Sequence, residues 1–397
     1  MTLGKQEAIA SSQPGAPRGV AAEFGFLIDF CRPRRTHTAA PGLDWEIIGR
    51  GLDRHGLSRL IPEMVATPGL VPAAAAEQLR ALQREQAAAA LAQIGETVRL
   101  CALLDQAEVR FLLIKGLALS VQLYGQPGLR ASKDIDLLVE PGAGPRVDAV
   151  LSAIGYARPE EDLAKDDLPG YVPKEVGYLN HARGMMVEVH VRLTENDDLY
   201  ATDFEDLWAS RETVTVGGRP LPTMARERLA TYLCVHGARH CWARLMWLLD
   251  IAPLTRTPAE IDAALADARR HRLEPVMLHA LWMLHAWFEH DVPAEVLARA
   301  RTSRAVRILN RLVAIFHAGP HWYAAPGRRS WRRFFQYSVL GRIASYSMKP
   351  ERGYWRQQLA FDLISPADRT LVALPARLDW GYAAIRPFGW LIRRLRS

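Results

Sequence analysis

The segment Asp134-Ile135-Asp136 constrains this chain more than any other. Two acidic residues one position apart run directly into the apolar sequence Leu-Leu-Val, which is typical of a strand entering a buried sheet. Alternate residues of a strand share one face, so both carboxylates are expected to project together. Side by side they repel each other, and a bound divalent cation such as Mg²⁺ relieves that repulsion. A metal-assisted reaction on phosphate is the first hypothesis, and an Asp pair at a solvent-exposed strand end is the alternative.

Upstream of this segment, a predicted strand and a predicted helix meet at Lys115-Gly116. Residues 109–114 are apolar and β-prone, and residues 117–124 have the pattern of a short helix. Glycine lets backbone N–H groups approach a ligand closely, a helix N-terminus favours an anion, and the lysine adds positive charge. Lys115-Gly116 is therefore a candidate phosphate cradle, although glycine is also common at such turns for steric reasons alone.

Downstream, residues 176–193 have the pattern of a β-hairpin. In its second strand Glu188, His190 and Arg192 share one face, and apolar residues occupy the other. An acidic side chain inside an apolar strand is costly unless something pairs with it. Glu188 is therefore the candidate third carboxylate, facing the Asp pair from a neighbouring strand. The alternative is an exposed edge strand in which Glu188 pairs with Arg192.

In this order the motifs resemble the nucleotidyltransferases of the DNA polymerase β-like superfamily, and within it the bacterial family of uncharacterised nucleotidyltransferases. The resemblance covers residues 44 to 255 or so and rests on Lys115-Gly116, Tyr124-Gly125, Gly128-Leu129-Arg130, residues 134–139, Glu188-Val189-His190 and residues 233–252. There are two departures. Glu188 stands where the family usually has Asp, and Leu117 follows the cradle glycine where the wider superfamily has Gly or Ser.

The resemblance implies an α+β fold, with a small mixed-sheet polymerase β-like core flanked by N-terminal and C-terminal helical regions. It also implies a cofactor of two Mg²⁺ ions, or Mn²⁺ in their place, held by Asp134, Asp136 and Glu188. The two aspartates would bridge both ions. Glu188 would bind the ion that activates the acceptor hydroxyl and would take up its proton. The acceptor would attack the α-phosphate of a nucleoside triphosphate, with ATP as the favoured donor, and release pyrophosphate.

Basic residues near the Asp pair are candidates for the phosphate oxygens. Arg130 would make bidentate contacts, and Lys115 and Lys133 would act as point charges, with Gly116 supplying the close backbone approach. His190 is a further candidate for phosphate or metal. Each basic residue is alternatively a solvated surface charge, and His190 is alternatively an ordinary strand histidine.

Two histidines four residues apart, His236 and His240, lie in a predicted helix. The spacing suits zinc, but a zincin needs Glu directly after the first His, and this chain has Gly237. Core or capping histidines are the favoured interpretation. Since the helix follows the predicted core, the alternative is that both histidines and Asp250 line the acceptor pocket.

The chain of 397 residues is long enough for two or three domains. Its patterns predict a partly disordered N-terminus over residues 1–43, a helical region over 44–107, the nucleotidyltransferase core over 108–216, and a helical basic region over 217–397. Four scattered cysteines without C-x-x-C spacing fit a reducing compartment. With neither a signal peptide nor an 18-residue apolar run in the sequence, we expect a cytoplasmic protein without a transmembrane segment.

Charge is concentrated near the C-terminus. Residues 301–397 hold 18 Arg or Lys and 4 Asp or Glu, a net charge of +14, and the rest of the chain carries −7. Aromatic residues are interleaved with arginines at 331–335, 354–356 and 388–396. Such a surface suits nucleic acid, an acidic acceptor or the anionic surface of a membrane, which would make the protein peripheral there. The alternative is solvated arginine on helix faces.

Three functions follow from these features. The first is a nucleotidyltransferase acting on a hydroxyl of a small molecule, saccharide, peptide or protein. The second is an RNA-directed nucleotidyltransferase, which the basic C-terminal region suggests. The third is a non-catalytic nucleotide-binding module. The three acidic residues of the predicted site are all present, which favours catalysis; the sequence identifies neither the acceptor nor the base of the nucleotide.

Overall fold

The computed structural model describes residues 22–33, 42–159, 173–318, 335–363, 366–369, 372, 374–382, 384–386 and 388–389. The predictions made for residues 1–21 and 34–41, and for the basic aromatic segments 331–334 and 390–396, concern residues outside these ranges.

Helices and one mixed sheet make up the described part of the chain, which confirms the α+β fold class. The strands are β1 Phe111–Leu113, β2 Asp134–Val139, β3 Glu175–Asn180, β4 Met185–His190, β5 Glu212–Val216 and β6 Arg219–Thr223. The α-helices are α1 Ala22–Phe30, α2 Trp45–His55, α3 Ile61–Ala66, α4 Ala73–Gln106, α5 Gly116–Tyr124, α6 Gly144–Ala153, α7 Phe204–Ala209, α8 Arg226–Arg239, α9 Leu245–Leu249, α10 Pro258–Arg270, α11 Glu274–Phe288, α12 Ala294–Thr302, α13 Arg304–His317, α14 Gly341–Met348, α15 Arg352–Leu363 and α16 Pro366–Arg369. Short 3₁₀ segments lie at Ser58–Leu60, Ala252–Leu254 and Ala376–Gly381, and a π-helical segment at Phe335–Leu340.

The chain divides into two compact units, each built from separate stretches of sequence. Unit 1 comprises Met1–Ala92, Ser120–Ser132 and Arg226–Met348, and is helical where it is described. Unit 2 comprises Gln93–Leu119, Lys133–Ala225 and Lys349–Ser397, and contains the whole sheet. The sequential division into four regions at residues 43, 107 and 216 stays a prediction.

The sheet of unit 2 has the strand order β3-β4-β2-β1-β6-β5. The predicted hairpin over residues 176–193 is confirmed as the antiparallel pair β3 and β4. Strand β2 pairs with β4 in parallel and with β1 in antiparallel orientation, so it lies inside the sheet. Its residues from Ile135 to Val139 are all buried, as the apolar run predicts.

Strand β6 lies beyond residue 216, where the strand signals of the sequence end. Pro220 and Pro222 occupy two of its five positions. Proline lacks the backbone N–H that a strand donates, so this sequence does not have a strand pattern. The pairing of Leu113 with Thr223 nevertheless places β6 beside β1.

Helix α4 spans 34 residues and lies within residues 44–107, which are predicted to be helical. It is the one helix of the described residues with a window long and apolar enough to cross a membrane, and a third of that window is buried. Gln93 and Glu96 in its C-terminal part make hydrogen bonds within unit 2, to Asp134 and Tyr156. Length and composition alone therefore do not assign α4 to a membrane.

Candidate active site

Asp136 and Glu188 lie directly opposite each other on neighbouring parallel strands. Asp136 of β2 is the register partner of Glu188 of β4, and residues in register on adjacent strands point to the same face. The Asp136 side chain is buried and that of Glu188 is 24% exposed. The sheet thus brings together the two carboxylates that the sequence placed on separate strands.

His190 completes this group. It lies two residues after Glu188 on the same face of β4 and is fully buried. Its Nε2 atom is 3.3 Å from Asp136 Oδ1 and 3.7 Å from Glu188 Oε2. The ligand atoms of Asp136, Glu188 and His190 all lie within 4.8 Å of one another, which is close enough for one metal ion to bind all three.

Lys115 balances the charge of Asp136. Its Nζ atom lies 3.1 Å from Asp136 Oδ1. Burial raises the pKa of Asp136, but Lys115 and His190 outweigh burial and hold that pKa well below the ordinary value. Asp136 is therefore an anion at neutral pH, with a cationic group already at its oxygen.

Gly116 follows Lys115 at the start of α5 and has φ +63°. Only glycine adopts this left-handed conformation without a steric cost of about 1–2 kcal/mol. The backbone therefore requires a glycine between β1 and α5. The predicted strand, Lys-Gly and helix arrangement is present, with Lys115 directed at the acidic group.

Sequence reasoning missed Lys174 and Glu175. Glu175 is the first residue of β3 and the register partner of His190, and its Oε2 atom lies 3.3 Å from His190 Nδ1. Lys174 Nζ lies 2.6 Å from Glu175 Oε2. Burial raises the pKa of Glu175, but the positive charge of Lys174 and the contact with His190 outweigh burial, so the pKa lies below its ordinary value. The hairpin pattern was the available signal, because a register fixed by the turn would have placed Glu175 opposite His190.

Asp134 and Lys133 lie at the edge of this group. Asp134 shares the strand face of Asp136, and its backbone carbonyl accepts a 2.6 Å hydrogen bond from Gln93. Among the described residues, the group whose ligand atoms lie within 4.8 Å of one another is Asp136, Glu188 and His190, and Asp134 is outside it. Lys133 is exposed.

Arg130 and Asp250 belong to unit 1, where they bind each other. Arg130 Nε lies 2.7 Å from Asp250 Oδ2, and Tyr124 Oη donates to Asp250 Oδ1 at 2.8 Å. Arg130 N also donates to Ser120 Oγ, which donates in turn to the carbonyl of Gln126. These bonds fix the loop between α5 and β2. Arg130, a predicted phosphate ligand, and Asp250, a predicted pocket residue, thus form a buried ion pair.

His236 and His240 surround Trp247 in unit 1. Their ring centroids are 4.9 Å apart, and they lie 4.7 and 5.7 Å from the Trp247 ring. All three side chains are partly exposed, and the Arg244 guanidinium lies 5.6 Å from the Trp247 ring. The three rings form an aromatic cluster, and Asp250 is fully buried. The acceptor pocket of His236, His240 and Asp250 stays a prediction.

The chain is similar to one sequence family and to two solved structures. The sequence profile of the family described as "uncharacterised nucleotidyltransferase" matches residues 41–289. Two solved structures are similar to the chain. The antibiotic-resistance factor ANT(2'')-Ia is 12% identical with a TM-score of 0.28, over 46% of this chain and 85% of its own. A nucleotidyltransferase-like protein from Paracoccidioides brasiliensis is 16% identical with a TM-score of 0.26, over 46% of this chain and 90% of its own. Among curated proteins, none matches the chain.

Proposed function

Because the chain belongs to the uncharacterised nucleotidyltransferase family, we propose that it moves a nucleoside monophosphate from a nucleoside triphosphate to an acceptor hydroxyl and releases pyrophosphate. Nucleotidyl transfer is the activity that the family supports. One observation carries the proposal for this chain. The ligand atoms of Asp136, Glu188 and His190 lie within 4.8 Å of one another, on the neighbouring parallel strands β2 and β4. A small molecule, saccharide, peptide or protein is the proposed acceptor, and ATP the proposed donor.

The side chains of this group fit a divalent cation. Asp136 and Glu188 supply the oxygen ligands that Mg²⁺ and Mn²⁺ prefer, and Asp134 offers a further carboxylate from the same strand face. The His190 imidazole favours a transition ion such as Mn²⁺ over Mg²⁺. A cation bound there would supply Lewis-acid polarisation of the α-phosphate and a lower pKa for the acceptor hydroxyl.

The residues of the chain have separate roles in the proposed step. The acceptor oxygen forms a bond to the α-phosphorus while the bond from that phosphorus to the bridging oxygen breaks, so pyrophosphate leaves. Glu188 is the more exposed carboxylate and takes the proton of the acceptor hydroxyl. Lys115 turns from Asp136 to the phosphate oxygens as a point charge, and the backbone at Gly116 allows their close approach.

The test is nucleotide binding measured by thermal unfolding, with each nucleoside triphosphate in turn, with and without Mg²⁺ or Mn²⁺. A ligand that binds only the folded protein stabilises it by about 2.7 kcal/mol at a hundred times its Kd. We expect a metal-dependent rise in the unfolding midpoint for one nucleotide, lost in Asp136→Asn. Asp206→Asn, in an exposed position of α7 in the same unit, is the matched control and should keep the rise.

Activity is tested with the donor so identified, labelled at the α-phosphate, incubated with candidate acceptors. Label should move to an acceptor with release of unlabelled pyrophosphate, and Glu188→Gln should slow the transfer while it keeps nucleotide binding. If Asp136→Asn binds the nucleotide and metal as well as the wild type, the site proposed here is wrong.

A further inference from the structure

The exposed apolar side chains of this protein are concentrated near its C-terminus. Eleven large hydrophobic side chains are exposed among the described residues, and eight of them belong to the last stretch of unit 2. These eight are Trp355, Leu359, Phe361, Leu363, Val372, Leu378, Trp380 and Phe388. Single exposed apolar residues are normal on a soluble protein, but a concentration in one short stretch indicates an interaction surface.

Helix α15 has its apolar residues on the outside. Trp355, Leu359 and Leu363 follow one another at intervals of four residues, so they form a stripe along one side of the helix. All three are exposed, with Leu359 at 50%, whereas Tyr354 and Gln358 are buried. A surface helix normally shows the reverse arrangement, with the apolar stripe facing the core.

The polar contacts of α15 hold this orientation in place. Gln358, on the buried side, accepts a hydrogen bond from Asn196 within unit 2. On the outer side, the Trp355 indole N–H donates to the carbonyl of Lys349 at 2.7 Å. The indole ring is therefore held by its polar edge while its apolar surface stays accessible.

Positive charge flanks the apolar stripe. Arg352 and Arg356 are exposed and one helical turn apart, and Arg356 lies three residues before Leu359. The one acidic residue of α15, Asp362, is partly buried, and Gln358 donates to it. The last stretch of unit 2, residues 349–397, holds nine Arg or Lys and four Asp or Glu, a net charge of +5. The partner of this surface should therefore be anionic as well as apolar.

We propose that the outer face of α15 (Arg352, Trp355, Arg356, Leu359 and Leu363) binds the surface of a bilayer that contains anionic lipids. Leucine and tryptophan side chains enter the boundary between headgroups and acyl chains, and the arginines contact lipid phosphates. The 12 residues of α15 span about 18 Å, too short to cross a hydrocarbon core of about 30 Å. The helix therefore lies in the plane of the interface.

The aliphatic residues favour lipid over nucleic acid. Single-stranded nucleic acid binds to basic grooves that present aromatic rings on which bases stack. Leu359 and Leu363 have no aromatic ring, so they add nothing to such a surface, whereas a bilayer buries them together with Trp355. This inference does not depend on the proposed reaction.

The experiment is flotation of the full-length protein with phosphatidylcholine vesicles that contain or lack phosphatidylglycerol. We expect binding to the anionic vesicles alone, and about a tenfold loss of partitioning in Leu359→Glu. Ile315→Glu is the matched control, because Ile315 is also an exposed aliphatic residue on a helix, at 51%, and it should bind like the wild type. The double variant Arg352→Gln/Arg356→Gln keeps Leu359 and Leu363 and should bind the anionic vesicles more weakly than the wild type.

Thermal unfolding of each variant shows whether it is folded, and Leu359→Gln provides a second, uncharged variant of the same position. Equal binding of wild type and Leu359→Glu would overturn the proposal, as would absence of wild-type binding to either vesicle. A single-stranded RNA oligonucleotide, titrated at several salt concentrations, tests the other class of partner. Salt-dependent RNA binding that is unchanged in Leu359→Glu, together with no vesicle binding, would assign the basic region to nucleic acid instead.

Discussion

Arg130 and Asp250, 120 residues apart in the sequence, form an ion pair that is buried on both sides. The Arg130 side chain is 4% exposed and that of Asp250 is not exposed at all, and their atoms approach to 2.7 Å. Tyr124 adds a hydrogen bond to the second oxygen of Asp250. Burial and the negative charge of Asp250 raise the pKa of Tyr124 well above its ordinary value, so the phenol stays protonated and donates. The pair therefore joins the Tyr-Gly and Gly-Leu-Arg motifs to the helical segment around residue 250.

The first prediction concerns this pair. Arg130→Met or Asp250→Leu alone should destabilise the protein by about 3–5 kcal/mol, because each leaves an uncompensated buried charge. The double variant should lose much less stability than the two single variants together, since neither charge then remains buried. Urea unfolding of the wild type, both single variants and the double variant measures this coupling. Glu46→Gln breaks an exposed pair with Arg50 in the same unit and should cost less than about 1 kcal/mol.

The second prediction separates two roles of Lys115 in the proposed site. Its Nζ atom lies 3.1 Å from Asp136 Oδ1 and would compete with a bound metal for that carboxylate. Lys115→Met should therefore increase the affinity for Mn²⁺ without nucleotide. The same variant should weaken nucleotide binding in the presence of metal, because a phosphate contact is lost. A hydrogen bond to a charged group contributes about 1.5–3 kcal/mol, so each change should be about tenfold or more.

Titration with Mn²⁺ followed by electron paramagnetic resonance measures the first affinity, and calorimetry measures the second. Arg211→Met is the control, because Arg211 is exposed in the same unit and precedes β5, which β1 and β6 separate from β2 in the sheet. A loss of both affinities in Lys115→Met would show that the lysine supports the metal site rather than competes with the metal.

Local patterns of the sequence predicted the elements around the site. The apolar run after Asp136 predicts an interior strand, and the alternation around Glu188 predicts a hairpin strand; both strands are present. The facing of Asp136 and Glu188 follows once β2 and β4 are paired. The spacing of apolar residues predicts whether a segment is a helix or a strand and which of its side chains share a face, because side-chain direction depends on local backbone geometry.

The pairing of strands and side chains that are far apart in the chain could not be predicted from the sequence. Which strand lies beside β1 depends on contacts between distant segments, and two prolines hid β6 from strand patterns. Arg130 is predicted as a phosphate ligand from its motif, and its ion pair with Asp250 joins segments 120 residues apart, which no local pattern predicts. Glu175 was missed because register, rather than composition, places it opposite His190.

The third prediction is a pH dependence at Glu96 on α4. Burial of its carboxyl raises the pKa, but Arg99, Tyr156 and Arg183 outweigh burial, so the pKa of Glu96 lies below the ordinary value of 4.5. A group with a lowered folded-state pKa stabilises the protein above the unfolded-state value and loses that contribution as the pH falls through the folded-state value. Glu96→Gln should therefore cost about 1–3 kcal/mol at pH 7, and progressively less below about pH 4.5.

Urea unfolding at a series of pH values measures that difference for Glu96. Glu85→Gln removes one exposed negative charge from the same helix and serves as the control. Tyr156→Phe removes a 3.0 Å hydrogen bond to Glu96 and should reduce the stability at neutral pH by about 1–2 kcal/mol. A difference between wild type and Glu96→Gln that does not change with pH would contradict the account given for this carboxyl.

The last prediction concerns the close packing of Gly237 in α8. A Cβ atom there would lie 2.2 Å from the Trp242 indole, and Trp242 is completely buried. The indole cannot move away easily, because the backbone of Trp242 is held in place. The Trp242 N–H donates a hydrogen bond to the Gly237 carbonyl, and Trp242 has a φ of +51°. Gly237→Ala should therefore destabilise the protein by about 1–3 kcal/mol or more.

Gly95→Ala is the matched comparison for this substitution. Gly95 is also inside a helix, but it is exposed, and apart from its chain neighbours and the adjacent backbone of its own helix no atom lies within 4 Å of the position its Cβ would take. Alanine loses less conformational freedom than glycine when a helix forms, so Gly95→Ala should stabilise the protein by about 0.5–1 kcal/mol. The same chemical change should thus have opposite signs at the two positions in thermal unfolding. If Gly237→Ala were neutral or stabilising as well, the contact between α8 and Trp242 would be looser than the structure has it.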